Sequence, residues 1–115
     1  MKPTELPATA AEYVRSINEH DPAAFIALFA EDSVVNDAGR EFCGLAAIQA
    51  WSKSDIFDPN VTLEVIRADG RDQDVAVVTK VDGNFDRTGL PNPVIIQHRI
   101  TGDAWIARLT CTLVT

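Results

Sequence analysis

Lysine and arginine are scarce in this chain. Ten of them face seventeen Asp and Glu in 115 residues, a formal net charge of −7. The basic residues are scattered and form no block, which argues against nucleic acid and an anionic membrane surface as partners. Cysteine is scarcer. Cys43 and Cys111 stand alone, outside any C-x-x-C, too few for a disulfide scaffold. They read as two small, buried, apolar side chains. No run approaches the ~18 apolar residues of a membrane helix. The opening MKPTELPATA has no apolar stretch, so it reads as no signal peptide, and the expected location is cytoplasmic. There is no Gly-rich phosphate loop, no G-x-S-x-G and no H-x-x-x-H, and His20 and His98 lie far apart. Nothing here suggests a serine nucleophile, and no Cys/His metal set is expected.

What is present is a chain that is 46% hydrophobic, enough to bury one core. It reads as a single domain over 1–115, with residues 1–8 a loose lead-in. Thr9 and Glu12 have capping-box spacing, and Ala10, Tyr13, Val14 and Ile17 then share one helical face. That helix should end near His20. Asp21-Pro22 restarts a helix, with Asp as N-cap and Pro at the first position. Its apolar face would be Ala24, Phe25, Leu28 and Phe29, with Glu31-Asp32 closing it. Short strands at 33–36 and 40–43 flank an Asp37-Ala38-Gly39 turn. Gly44 opens a third helix, with Leu45, Ile48 and Trp51 inward.

From residue 61 the period becomes two. Strands are expected at 61–67, 75–85, 94–101 and 105–114, with a turn at Asp69-Gly70 and a bulge at Gly83. Helices followed by an antiparallel meander mean an α+β fold, with helices against one face of a curved sheet.

Such a sheet can leave an apolar cavity at its open end, the usual setting for a ligand. Phe25, Phe29, Phe42, Trp51, Phe57 and Phe85 are candidates to line it, or simply to fill the core. Tyr13 is either a satisfied core phenol or a pocket donor. Asp37 is either a turn residue or a carboxylate aimed into the pocket. In the strand 94–101, Ile95, Gln97 and Arg99 share one face and Ile96, His98 and Ile100 the other. A cavity role for Gln97 and Arg99 would send His98 to an outer, dimer-forming face.

The stretch from Tyr13 to Trp51, YVRSINEHDPAAFIALFAEDSVVNDAGREFCGLAAIQAW, resembles the N-terminal half of the nuclear transport factor 2-like superfamily. Within that superfamily it is similar to the polyketide cyclase (SnoaL-like) and ketosteroid isomerase branches. The meander that follows also fits. The resemblance implies a conical α+β barrel of cystatin-like shape, a deep pocket for a small hydrophobic molecule, and a homodimer through the outer sheet face. It matches Tyr13 to an oxyanion-hole tyrosine and Asp37 to a catalytic base, without a gap between them. Gln97 would replace the second oxyanion donor, which in ketosteroid isomerase is an Asp held neutral by an apolar site. An amide N–H still donates, but more weakly, and losing one good donor costs on the order of 3 kcal/mol.

Two functions follow from the resemblance. One is a cofactor-free, metal-free isomerase or cyclase, with Asp37 as proton-shuttling base, Tyr13 and Gln97 holding the enolate oxygen, and Arg99 receiving a polar tail. The other is a non-catalytic binding or dimerisation module. An Asp37–Arg99 ion pair would favour the second.

Overall fold

A computed structural model describes residues 6–114; residues 1–5, most of the expected lead-in, and Thr115 lie outside the described residues. Helix α1 spans Ala8–Asn18 and α2 spans Pro22–Ile26. Strands β1 (Phe29–Asp37) and β2 (Arg40–Cys43) follow, then α3 (Leu45–Ser52), which continues into a π-helical turn at Lys53–Phe57. The remainder is β3 (Thr62–Arg71), β4 (Asp74–Asp82), β5 (Val94–Thr101) and β6 (Ile106–Val114).

The expected capping box does not form. Helix α1 starts at Ala8 behind Pro7 with no side-chain cap, so Thr9 is already inside the helix. Glu12 turns instead to Arg15, whose Nε lies 2.9 Å from its carboxylate. The second start signal works as expected: Asp21 Oδ1 accepts from the Ala24 N–H at 3.1 Å, with Pro22 at the first helical position. That helix is shorter than its apolar spacing suggests. The Leu28 carbonyl accepts from the Ile106 N–H at 2.8 Å, so the sheet claims the chain at Phe29 and ends the helix early.

The six strands form one sheet in the order β2-β1-β6-β5-β4-β3. The sheet is mixed, not purely antiparallel. Strands β1 and β6 pair in parallel, with a register shift between Phe29 and Val34. Ser33 holds this irregularity together. Its hydroxyl donates to the Ile106 carbonyl at 2.6 Å and accepts from the Ala30 N–H at 2.8 Å. The sheet is not closed, since β2 and β3 are its two edges. At the β3 edge, Asn18 at the end of α1 donates to the Leu63 carbonyl at 2.9 Å and accepts from the Leu63 N–H at 2.7 Å.

The turn expected at Asp69-Gly70 is displaced. Strand β3 runs on to Arg71, which pairs with Asp74, so the turn is Asp72-Gln73. Gly70 stays in the strand at φ +120°, where a Cβ would meet the Asp74 carbonyl oxygen at 2.2 Å. The bulge lies in β3 between Val65 and Arg67, not at Gly83, which follows the end of β4. Of the two cysteines expected inside, Cys111 is buried but Cys43 is exposed. Strand β2 lies at the edge of the sheet and leaves the Cys43 side chain uncovered.

The core lies between the helices and the inner sheet face. Phe25, fully buried, is its aromatic hub, with ring centroids 5.2 Å from Phe29, 5.7 Å from Tyr13 and Phe57, and 6.3 Å from Trp51. Truncating such a ring removes transfer energy and leaves a void. Phe25→Ala should cost about 3–5 kcal/mol, read from the shift in urea midpoint at unchanged slope.

Candidate functional site

A cavity of about 440 Å³ opens between α1, the end of α3 and the inner face of the sheet. Its walls are largely apolar, with Ile17, Leu63, Val81, Phe85, Ile96 and Leu113 among them. Arg40, Asp55 and Asp86 line it as charged groups, and four more polar side chains come from α1 and the inner strands. Helix α1 supplies Tyr13, β1 supplies Asp37, β5 supplies His98 and β6 supplies Cys111. The strand register brings the last three into one row: Asp37 lies opposite Cys111, and Cys111 opposite His98.

Tyr13 and His98 are joined. The phenol oxygen is 2.8 Å from His98 Nδ1, and the His98 Nε2 is 2.9 Å from the Thr79 hydroxyl. The Thr79 hydroxyl also lies 3.3 Å from the Ile96 carbonyl, and the Cys111 thiol 3.8 Å from Nδ1. All four side chains are buried. Burial pushes the His98 pKa down to about 4, so the ring is neutral at physiological pH. Burial drives the Tyr13 phenol well above its ordinary value, with Cys111 and Asp37 adding to the rise. The Cys111 thiol is pushed up to about 12, mainly by burial and then by the Asp37 charge. Neither the phenol nor the thiol ionises in the resting cavity.

Asp37 is held from two sides. Its Oδ2 accepts from Arg40 at 2.7 Å and from the Trp51 indole N–H at 3.0 Å. Arg40 also reaches Asp55 at 2.7 Å, so a single guanidinium ties the end of β1 to the π-helical turn. Oδ1 makes no hydrogen bond among the described residues. The Asp37 side chain keeps 22% exposure, at the wetter end of the cavity.

The sequence-based assignments separate accordingly. Tyr13, Asp37, Trp51 and Phe85 line the cavity. Phe25 and Phe29 belong to the core. Phe57 packs on Phe25, and Phe42 on Trp51 at 5.9 Å, so both support the wall without lining it. The face assignment of β5 is reversed. Val94, His98 and Ile100 are buried on the inner face and Ile96 lines the cavity there, while Gln97 and Arg99 take the outer face. Gln97 therefore does not meet Tyr13. Arg99 pairs with Asp74 at 2.8 and 3.0 Å, not with Asp37. The physical reason is burial: a strand turns its more apolar side to the core, and one histidine among Val94, Ile96 and Ile100 is cheaper to bury than Gln97 with Arg99. Thr79, between Val77 and Val81 on the inner face of β4, carried the same signal. No group of three or more His, Cys, Asp or Glu able to hold a metal occurs among the described residues, and no helix there is long and apolar enough to cross a membrane.

The family model for the SnoaL-like domain matches residues 10–108. This chain belongs to that family. No curated protein matches the chain. Among solved structures, this SnoaL-like domain is similar to a candidate polyketide cyclase from Sinorhizobium meliloti, at 26% identity and a TM-score of 0.83, covering 97% of this chain and 100% of that one. It is also similar in fold to a candidate ketosteroid isomerase from Kribbella flavida, at 19% identity and a TM-score of 0.74, over 94% of this chain and 76% of that one. A computationally designed 17-OHP binder shares the fold at 16% identity and a TM-score of 0.69, over 90% and 86% of the two chains.

The buried imidazole links stability to pH. Its folded pKa, about 4, lies below the 6.5 of the free side chain. Between those values the unfolded chain binds a proton that the folded chain refuses, so stability falls as pH drops from 6.5 to 4 and this contribution is lost below it. The loss should be on the order of 3 kcal/mol. Urea midpoints of wild type and His98→Gln at pH 7.5, 6 and 5 check this. Wild type should lose stability across that series by more than the variant does.

Proposed function

We propose that this SnoaL-like domain binds a compact, largely apolar molecule in the cavity, with one polar end set against Tyr13 and Asp37. The observation that carries this reading is the cavity itself. Its volume lies in the range of small-molecule sites, and its walls are apolar with a few convergent polar groups. The designed binder of the same fold is a protein made to hold 17-OHP, which fits a pocket between helices and sheet.

Trp51 lies in the cavity wall and Trp105 is exposed. Trp105→Phe therefore leaves Trp51 as the single tryptophan reporter. Titrating that variant with bicyclic compounds such as tetralin, 1-tetralol and 1-tetralone should give saturable changes in Trp51 emission. Val81→Phe, which places a ring inside the cavity, should weaken binding at least tenfold. Unaltered emission with all three compounds would overturn the reading.

One observation favours a second, catalytic reading. Asp37 lines the cavity with Oδ2 fixed by Arg40 and Trp51, and its Oδ1 has no hydrogen-bond partner among the described residues. A carboxylate oriented in this way can take a proton alpha to a ketone carbonyl. Catalysis would appear as deuterium uptake at the alpha carbon of 1-tetralone in D₂O, slowed about 10²–10⁴-fold in Asp37→Asn. Exchange no faster than in buffer would leave the binding reading alone. Gln97 and Arg99 have no part in either reading. A homodimer through the outer sheet face remains part of the proposal, and light scattering of the full chain would give twice 12.5 kDa.

A further inference from the structure

Beneath the cavity, four polar groups form a string: the Tyr13 phenol, the two nitrogens of His98, the Thr79 hydroxyl and the Ile96 carbonyl. A carbonyl can only accept, a threonine hydroxyl has one proton, and a neutral imidazole has one N–H and one lone pair. The string can therefore run in only two directions. In the first, Thr79 donates to Ile96, His98 Nε2–H donates to Thr79, and Tyr13 donates to Nδ1. Three bonds form, and the weak Cys111 S–H donor also faces the Nδ1 lone pair at 3.8 Å. In the second, Thr79 donates to Nε2 and Nδ1–H donates to the phenol oxygen. Only two strong bonds form, and the Tyr13 proton finds no better acceptor than the Cys111 sulfur, a weak one.

We infer that Thr79, acting through His98, fixes the first direction, so that Tyr13 offers the cavity a hydrogen-bond acceptor and the resting site selects a ligand bearing a hydroxyl or N–H group over its carbonyl analogue. The inference rests on the cavity being the ligand site. It reverses the role that the resemblance implied for Tyr13, because a phenol whose proton is given to His98 has no proton left for an oxyanion. A carbonyl ligand gains a hydrogen bond from Tyr13 only by turning the string round, at the loss of one internal bond. Thr79 is a positioning residue here, never in contact with the ligand.

The direction can be read in the free protein, before any ligand is added. Two-bond ¹H–¹⁵N correlation spectra of the His98 ring should show the proton on Nε2 in wild type. Thr79→Ser, which keeps the hydroxyl, should look the same. Thr79→Val removes the acceptor for Nε2–H and should move the proton to Nδ1. In the Trp105→Phe background, 1-tetralol should bind roughly tenfold more tightly than 1-tetralone, the equivalent of one net hydrogen bond. Thr79→Val should erase or reverse that preference, and Thr79→Ser should retain it. A proton on Nδ1 in the free wild type would overturn the inference, as would a preference unchanged by Thr79→Val. If Thr79→Val does not fold, the wild-type tautomer and the tetralol-to-tetralone ratio still decide. If His98 carries its proton on Nε2 but tetralin, tetralol and tetralone all fail to bind, the cavity reading has failed, and the ligand preference falls with it.

Discussion

The arrangement depends on the parallel pairing of β1 with β6. Every other strand pair is antiparallel and joins strands close in the sequence. This one joins the segment after the first two helices to the last strand of the chain, and its register sets Asp37 beside Cys111. Without it β1 and β2 would have no hydrogen-bonded place beside the meander, and Asp37 would not share a cavity with His98. The pairing needs a local irregularity to reach that register. Ser33 makes the irregularity tolerable by satisfying two backbone groups that the broken ladder leaves open.

Much of the fold could be read directly from the sequence because local chemistry and tertiary packing agree there. Asp21-Pro22 starts a helix as a capping residue and proline should, Gly44 leads into α3, and period-two alternation marks β3 to β6. The errors fall where a long-range partner overrides a local signal. Leu28 and Phe29 are spaced for a helix, but the Ile106 N–H takes the Leu28 carbonyl into the sheet. Asp69-Gly70 resembles a turn, yet cross-strand pairing carries β3 on to Arg71 and moves the turn three positions along. Thr9 and Glu12 have cap spacing, but the helix begins two residues too early to use it.

The site was half legible. Tyr13 and Asp37 could be placed because an apolar helix face and a tight turn locate them. His98 and Thr79 could not be assigned a role by spacing. Each is a lone polar residue among the β-branched residues of one strand face, and its meaning lies in a partner 85 or 19 positions away. The resemblance drew attention to Gln97, one position from His98. In a strand, one position is the opposite face. The outcome is a buried polar string in which each member satisfies the next, the condition under which polar groups can remain in a core.

The clamp at Leu63 has a consequence outside the cavity. Strand β3 is a free edge of an open sheet, with backbone donors and acceptors that another strand could use. Asn18 fills the ladder position at Leu63 with a side-chain amide, one hydrogen bond in each direction. A strand pairing along this edge as far as Leu63 must displace Asn18, and with it the end of the helix that carries Tyr13. The residue that docks α1 onto the sheet also blocks edge-to-edge pairing at the Leu63 end of β3.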